Sequence, residues 1–562
     1  MCHFSVTRAF ATGALAAFLA AGPAFAASPR FAENDDSAPA SSTELPFGST
    51  APIPPSALRP QPAPVPPMPA PVAAPAGSTT PAPIPTPARS PVPTQAPGLP
   101  PNPAAVPLPP AAAAQTPAAV PPPPAAVAPT PAAIFEPPPH VILTFRGSNT
   151  IGEALAPRLA QAFLAFNGDA DVSIVPSKTD PGDVTVVGTR GGKKEALVIS
   201  AHGSAFAATG LLAHSPETPT EIGMTSRRMT PAERQSLAAK GDMYGPMSEH
   251  VLALDGVAVI VNRANPTGTL SVRQLKDIFA GAITDWGDSR VGGIAGPVHV
   301  YRRDENSGTF DTFATLVMHG ATIRADARQF DDSDALSAAV AKDPTAIGFI
   351  GLPYVGSNKA LAVSEVGTAA IPPNRLTIAT EDYALARRLF LYTTQTNGNP
   401  DIRRFLEFAL SDAGQQLVEQ VGFIPLSLRA EPVAIAPGLS PEYAALTRRA
   451  ERLSTDFRFQ FGATDLDNRA IRDTSRLANY LAANKILPRR LLLIGYDDEA
   501  GPTTAARLGS ENRAKAVAVA LRQEGIVVGQ AVGLGSIQPV ADNSNDAGRD
   551  RNRRVEVYVL PQ

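Results

Sequence analysis

Arg303-Asp304-Glu305-Asn306-Ser307-Gly308-Thr309 joins two stretches of different character. Before it, Pro297-Val298-His299-Val300-Tyr301 is strand-like; after it, Phe310-Asp311-Thr312-Phe313-Ala314-Thr315-Leu316-Val317-Met318 is helix-like, so Ser-Gly-Thr falls where a helix opens. A helix start has unpaired N–H groups and partial positive charge. Glycine admits a close ligand, two hydroxyls donate from one turn, and Arg303 offers a forked cation: the ingredients of an oxyanion cradle. Taken alone, the stretch reads equally as a Ser/Thr N-cap beside a surface arginine.

Two further stretches repeat the pattern. Gly147-Ser148-Asn149-Thr150-Ile151-Gly152 follows the apolar run Val141-Ile142-Leu143-Thr144-Phe145 and leads into a helix from about Ala154 to Leu164, where Pro157 is tolerable only near the start. Ala201-His202-Gly203-Ser204-Ala205-Phe206 lies between the strand Ala196 to Ser200 and a short helix ending near Ala213. Three such turns suggest convergence on one anion. Here the chain resembles the periplasmic phosphate-binding protein of ABC importers, over about Val141 to Ala430. Similar elements follow in that family's order, among them Glu221-Ile222-Gly223-Met224-Thr225-Ser226-Arg227, Leu275-Lys276-Asp277-Ile278-Phe279-Ala280-Gly281, Ala346-Ile347-Gly348-Phe349-Ile350-Gly351 and Gly422-Phe423-Ile424-Pro425-Leu426.

The resemblance implies an α/β fold, a two-lobed clamp that closes over its ligand. Carried over residue by residue, its phosphate contacts fall on Thr150, Ile151 (by backbone), Ser204, Arg303, Ser307, Gly308 and Thr309. Some members place an aspartate in the turn aligned with Ser226-Arg227, where it accepts the proton of hydrogen phosphate and rejects sulfate. Arg227 or Arg228 stands there instead. Asp304 and Glu305 are candidate substitutes, although solvated helix-start carboxylates explain them as well.

The chain has 562 residues, a net charge of −3 and one cysteine, Cys2. With a pI near 6.2, it carries no overall basic signature for nucleic acid. Met1 to Ala26 reads as a secretory signal peptide: Arg8, an apolar stretch, then Ala24-Phe25-Ala26 as a cleavage site. Cys2 would leave with it, so no disulfide or thiol chemistry is expected. Residues 27–140 are Pro/Ala-rich and hold more than half of the 60 prolines. They read as a disordered stalk or tail that cannot close a core. His202, His299 and His319 lack metal-ligand spacing and read as structural, so no metal and no cofactor are expected.

The expected clamp covers 141–430 and is discontinuous: lobe 1 is 141–242 with 362–430, and lobe 2 is 244–361. A connector, 431–452, leads to a final domain, 453–562. There Phe457-Arg458-Phe459-Gln460-Phe461 alternates like a strand, and a helix from about Asp467 to Ala483 carries Ile471, Leu477 and Leu481 at helical spacing. Leu491 to Gly495 reads as a buried strand, Ser510 to Arg522 as a helix, and Ile526-Val527-Val528 as the start of another strand. Gly495-Tyr496-Asp497-Asp498, Ser510-Glu511-Asn512-Arg513-Ala514 and Asn552-Arg553-Arg554-Val555-Glu556 make this domain resemble the small α+β OmpA-like peptidoglycan-binding family. That family binds the diaminopimelate of the stem peptide, a zwitterion to which an acid and a forked arginine are complementary. Asp498 and Arg513 occupy the matching positions. Tyr496 and Asp497 replace the usual His and Thr, Ala506 an expected asparagine, and Gly509 the usual Leu.

These expectations compose a non-enzymatic, wall-tethered periplasmic protein that captures inorganic phosphate or a similar oxyanion. Peptidoglycan and an ABC importer permease are its candidate partners, with the outer membrane nearby. The rival is a structural envelope protein whose clamp has lost phosphate and docks a protein or glycan. A phosphatase would need a metal cluster, an activated nucleophile or an acid–base pair, none of which the sequence pattern supplies.

Overall fold

The computed structural model describes residues 138–561 except 181, 216–218, 294, 306, 434–438, 461–462, 500 and 502. The expected signal peptide and almost all of the Pro/Ala-rich segment lie outside the described residues. His140 already begins the first strand, His140–Gly147.

An 11-stranded sheet organises the larger part of the chain. His140–Gly147 pairs in parallel with Lys193–Ala201 on one side and with Ile222–Thr225 on the other. The strand Glu249–Val261 is long enough, at 13 residues, to serve both halves of the sheet. Its first half pairs with Ala386–Tyr392, and its second half with Ala346–Gly351 and Lys359–Ala360. Apolar side chains gather into two large cores accordingly. One holds Phe145, Phe163, Leu197, Ile222, Leu391 and Phe405; the other holds Phe279, Trp286, Phe313, Phe349 and Tyr383. This is the α/β clamp architecture that the resemblance implied.

All three turns sit at strand ends. The expected turn from Gly147 to Gly152 includes a one-turn helix, Asn149–Gly152, before the helix Leu155–Phe166. Ser204 precedes the helix Ala205–Leu212. Ser307 caps the helix Gly308–Phe313, its hydroxyl accepting from the Thr309 N–H at 3.2 Å.

A second sheet of five strands runs in the order Ala430–Pro432, Glu451–Arg458, Arg554–Val559, Leu491–Gly495, Gln530–Gly533. The stretch read as a connector contributes to it: Ala430–Pro432 pairs with Glu451–Leu453, and the helix Pro441–Thr447 lies between. The strand expected from Phe457 starts earlier, at Glu451, and Phe461 lies outside the described residues. Helix Asn468–Ala483 buries Leu477 and Leu481 but leaves Ile471 43% exposed, a correction to the expected apolar stripe. The next long helix is Thr504–Gln523, starting six residues before Ser510 because Thr503 caps it, its hydroxyl accepting from the Ala506 N–H at 3.0 Å. The last parallel strand is Gln530–Gly533 rather than one begun at Ile526. Ile526 is spent as a buried plug after the helix, and Val527 is 60% exposed. No helix among the described residues is long and apolar enough to cross a membrane.

Candidate functional site

The expected anion contacts fall into two neighbouring spaces. Thr150, Arg303, Ser307, Gly308 and Thr309 line one cleft of about 350 Å³. Ser204 lines a smaller pocket of about 230 Å³ with Ser226, Arg227, Asp311 and Arg387. Ile151 is fully buried, backbone included, and lines neither space, so the structure does not bring its expected backbone contact to the cleft. The first-turn N–H groups of so short a helix have no intrahelical acceptor.

Arg387 ties the two spaces together. It sits on the strand Ala386–Tyr392 directly across from Asp255 and is buried. Its Nη2 donates to Thr150 Oγ1 and to the Gly308 carbonyl, both at 2.8 Å. Its Nη1 donates to Asp311 Oδ2 at 3.0 Å, and its Nε to Asp255 Oδ2 at 3.1 Å. From Asp311 the network continues: Ser226 Oγ donates to the same carboxylate oxygen at 3.1 Å and lies 3.0 Å from Ser204 Oγ. One chain of hydrogen bonds therefore connects all three turns. Gly308 is needed for the approach, since a Cβ there would lie 2.5 Å from Thr150 Oγ1.

Arg303 stands on the other side of the cleft, anchored by protein acceptors. Its Nη1 donates to Ser333 Oγ at 2.5 Å, its Nη2 to the Asp331 carbonyl at 3.0 Å and its Nε to the Phe330 carbonyl at 3.3 Å. Asp304 lies 3.4 Å from Arg303, and Glu305 is largely exposed and 3.6 Å from Arg302. Glu153 shares the cleft with Arg303, and burial pushes its carboxyl above the usual range against the pull of that cation. Arg227 forks onto Glu233 at 2.7 and 2.8 Å, and Arg228 meets Glu249 at 2.7 Å, so both arginines of that turn are occupied.

Sequence reasoning passed over Arg387, Asp255 and Asp311. The available signal was faint: Arg387-Arg388 interrupts an apolar strand, so one of the pair must face inward. Of the histidines, His202 lies 3.0 Å from Asp183 and 3.6 Å from Asp180, and His299 lies 2.7 Å from Asp343.

In the C-terminal part, Asp498 and Arg513 come within 3.9 Å of each other. Each has a closer partner: Arg553 donates to Asp498 at 2.6 Å, and Arg513 donates to Asp497. Gly509 explains one departure from the family pattern, because a Cβ there would run into Asp497 Oδ2. Ala506 is fully buried, where a polar side chain would lack solvent.

A twin-core α/β clamp with polar turns at a cleft is thus followed by a small sheet with a paired acid and arginine. Residues 136–413 match the PBP superfamily domain and residues 458–553 the OmpA family, so the chain carries a periplasmic-binding-protein domain followed by an OmpA-family domain. Protein SphX of Synechococcus elongatus is 30% identical over 224 residues, 38% of this chain and 65% of SphX. Phosphate-binding protein PstS of Staphylococcus saprophyticus is 29% identical over 214 residues, 37% of this chain and 65% of that protein. The chain thus spans about 65% of the length of these relatives. Among solved structures, an ABC-type phosphate transport receptor from Vibrio cholerae aligns with 50% of this chain and 99% of its own, at 23% identity and a TM-score of 0.38. PstS from Borrelia burgdorferi aligns with 51% and 98%, at 21% identity and a TM-score of 0.38.

Proposed function

We propose that the protein is a non-catalytic periplasmic receptor that captures a phosphate-like oxyanion in its clamp while its OmpA-family domain holds it to peptidoglycan. The observation that carries this reading is the hydrogen-bond chain Ser204–Ser226–Asp311–Arg387–Thr150, which draws three separate hydroxyl-bearing turns to one place. Neutral donors from Thr150, Ser307 and Thr309, with Arg303 facing them, suit a dehydrated oxyanion, because several hydrogen bonds can share its charge. The names of the relatives support the same ligand class. Asp498 and Arg513 are the groups proposed for the stem-peptide zwitterion, and an importer permease is a further proposed partner.

Calorimetric titration of inorganic phosphate into the full chain, stripped of carried-over ligand by unfolding and refolding, tests the first half. Binding that Arg303→Ala abolishes without loss of the thermal transition is the expected result; unchanged affinity in that variant sinks the assignment of Arg303. Co-sedimentation with purified sacculi tests the second half. Asp498→Ala and Arg513→Ala should leave the protein in the supernatant with anion binding intact.

A further inference from the structure

The cleft between the two halves of the clamp is larger than a bare oxyanion needs. Against the 350 Å³ space lies a wider one of about 850 Å³, lined by Asn149, Glu153 and Phe206 on one side and by Arg303, Gln329 and Asp331 on the other. Glu153, Arg303 and Asp331 line both, so a ligand held by Arg303 at its narrow end has the wide end open beside it. One water occupies about 30 Å³ of liquid, so a five-atom oxyanion leaves most of this volume unused. Spaces of roughly 300–1,000 Å³ are those that organic ligands fill.

The lining has a definite chemistry. Phe206 is 52% exposed, an aromatic ring left half in water at the wall of the cleft, with the His202 ring 5.7 Å away and tilted by 54°. Around it stand an amide from Asn149, an amide from Gln329 and carboxyl groups from Glu153, Asp180, Asp304 and Asp331. Amides donate and accept, and carboxylates accept, so together they match a group that presents several hydroxyls. An exposed aromatic face matches the C–H surface of a compact ring. A five-atom inorganic anion is too small to reach all of these groups at once.

We propose that the clamp's ligand is a phosphomonoester of a polyhydroxylated carbon skeleton, such as a sugar or polyol phosphate. The phosphoryl end lies against Arg303 and the Ser307–Thr309 turn, the hydroxyls reach Asn149, Glu153, Gln329 and Asp331, and the ring or chain rests on Phe206. This rests on the oxyanion reading above and adds the substrate class to it.

Titration of the full chain with inorganic phosphate, glucose 6-phosphate and glycerol 3-phosphate decides the matter. At least one ester should bind about tenfold or more tightly than phosphate, and Phe206→Ala should bring the two affinities together. Phe206 is half exposed, so its truncation opens no core cavity; Gln329→Ala is the second variant and should also narrow the gap. A chain that binds phosphate as well as or better than both esters overturns this proposal and leaves the oxyanion reading standing. A chain that binds none of the three overturns the oxyanion reading itself.

Discussion

Arg387 places one guanidinium against two carboxylates, a hydroxyl and a carbonyl at 2.8–3.1 Å. Removing it would leave Asp255 with Thr312, at 3.2 Å, as its one side-chain donor among the described residues. Asp255 is partly buried at the cleft wall, and leaving its carboxylate without that cation costs on the order of 1–3 kcal/mol, so Arg387→Met should lower the urea midpoint and take anion binding with it. Arg387→Lys should recover part of the stability only, since a point charge cannot span four acceptors. Asp311 is a different case, half exposed and held by Ser226 and Arg387. Its carboxylate reaches the turn where family members carry their proton acceptor, and it can accept from a protonated oxyanion but repels an unprotonated one. Asp311→Asn should therefore shrink the phosphate-to-sulfate affinity ratio roughly tenfold in paired titrations; an unchanged ratio would place the selectivity elsewhere. The serines, threonines and glycines of the three turns were legible because their motifs are local. Arg387 was not, because Asp255 is 132 residues away and only strand pairing brings them face to face.

At the scale of elements, the C-terminal helices show what local pattern conveys and what it hides. Thr503 and Asp467 both read as N-caps once the helix starts are known, yet Gly509 inside Thr504–Gln523 looks like a stop signal. Its actual use is spatial: it clears room for Asp497, which then occupies Arg513. Asp497 thus competes with any ligand carboxylate for the same cation. Replacing it with the family's usual residue, Asp497→Thr, should free Arg513 and raise retention on sacculi several-fold, as read from the fraction pelleted across a dilution series. Reduced retention would mean that Asp497 helps to hold the stem peptide. The last parallel strand starts later than its apolar residues suggest for a similar reason. Ile526 and Val527 have strand-forming side chains, but Ile526 packs under the helix terminus and pairing waits until Gln530.

Among the described residues, charged side chains bridge the clamp and the C-terminal domain. Glu381 faces Arg388 and Arg469 at 2.5–3.0 Å, and Arg388 also reaches Asp467, the cap of helix Asn468–Ala483. Asp382 and Asp456 share Arg452, which lies 2.8 Å from one and 3.0 Å from the other. Two groups in this interface should titrate in opposite senses. Burial, reinforced by Asp382 and Glu556 and opposed by Arg452 and Arg458, pushes the Asp456 carboxyl up to about 7 from an ordinary 3.8; Arg554 stands 3.9 Å away. The folded state then holds a proton that the unfolded chain releases, so this group's contribution to stability falls as pH rises from about 4 to about 7. His250 is buried with Thr393 at one ring nitrogen and Arg472 at the other, and burial, followed by the Arg472 charge, pulls it down to about 3. Below pH 6.5 the unfolded chain takes up a proton that the folded state refuses, so its contribution is lost as pH falls from about 6.5 to about 3. Each effect is on the order of a few kcal/mol, and over about pH 4 to 6.5 they oppose each other. The wild-type chain should show a shallow profile there in urea unfolding, with Asp456→Asn making stability climb with pH and His250→Gln making it decline. Parallel profiles for all three proteins would mean that neither group is sealed in the interface.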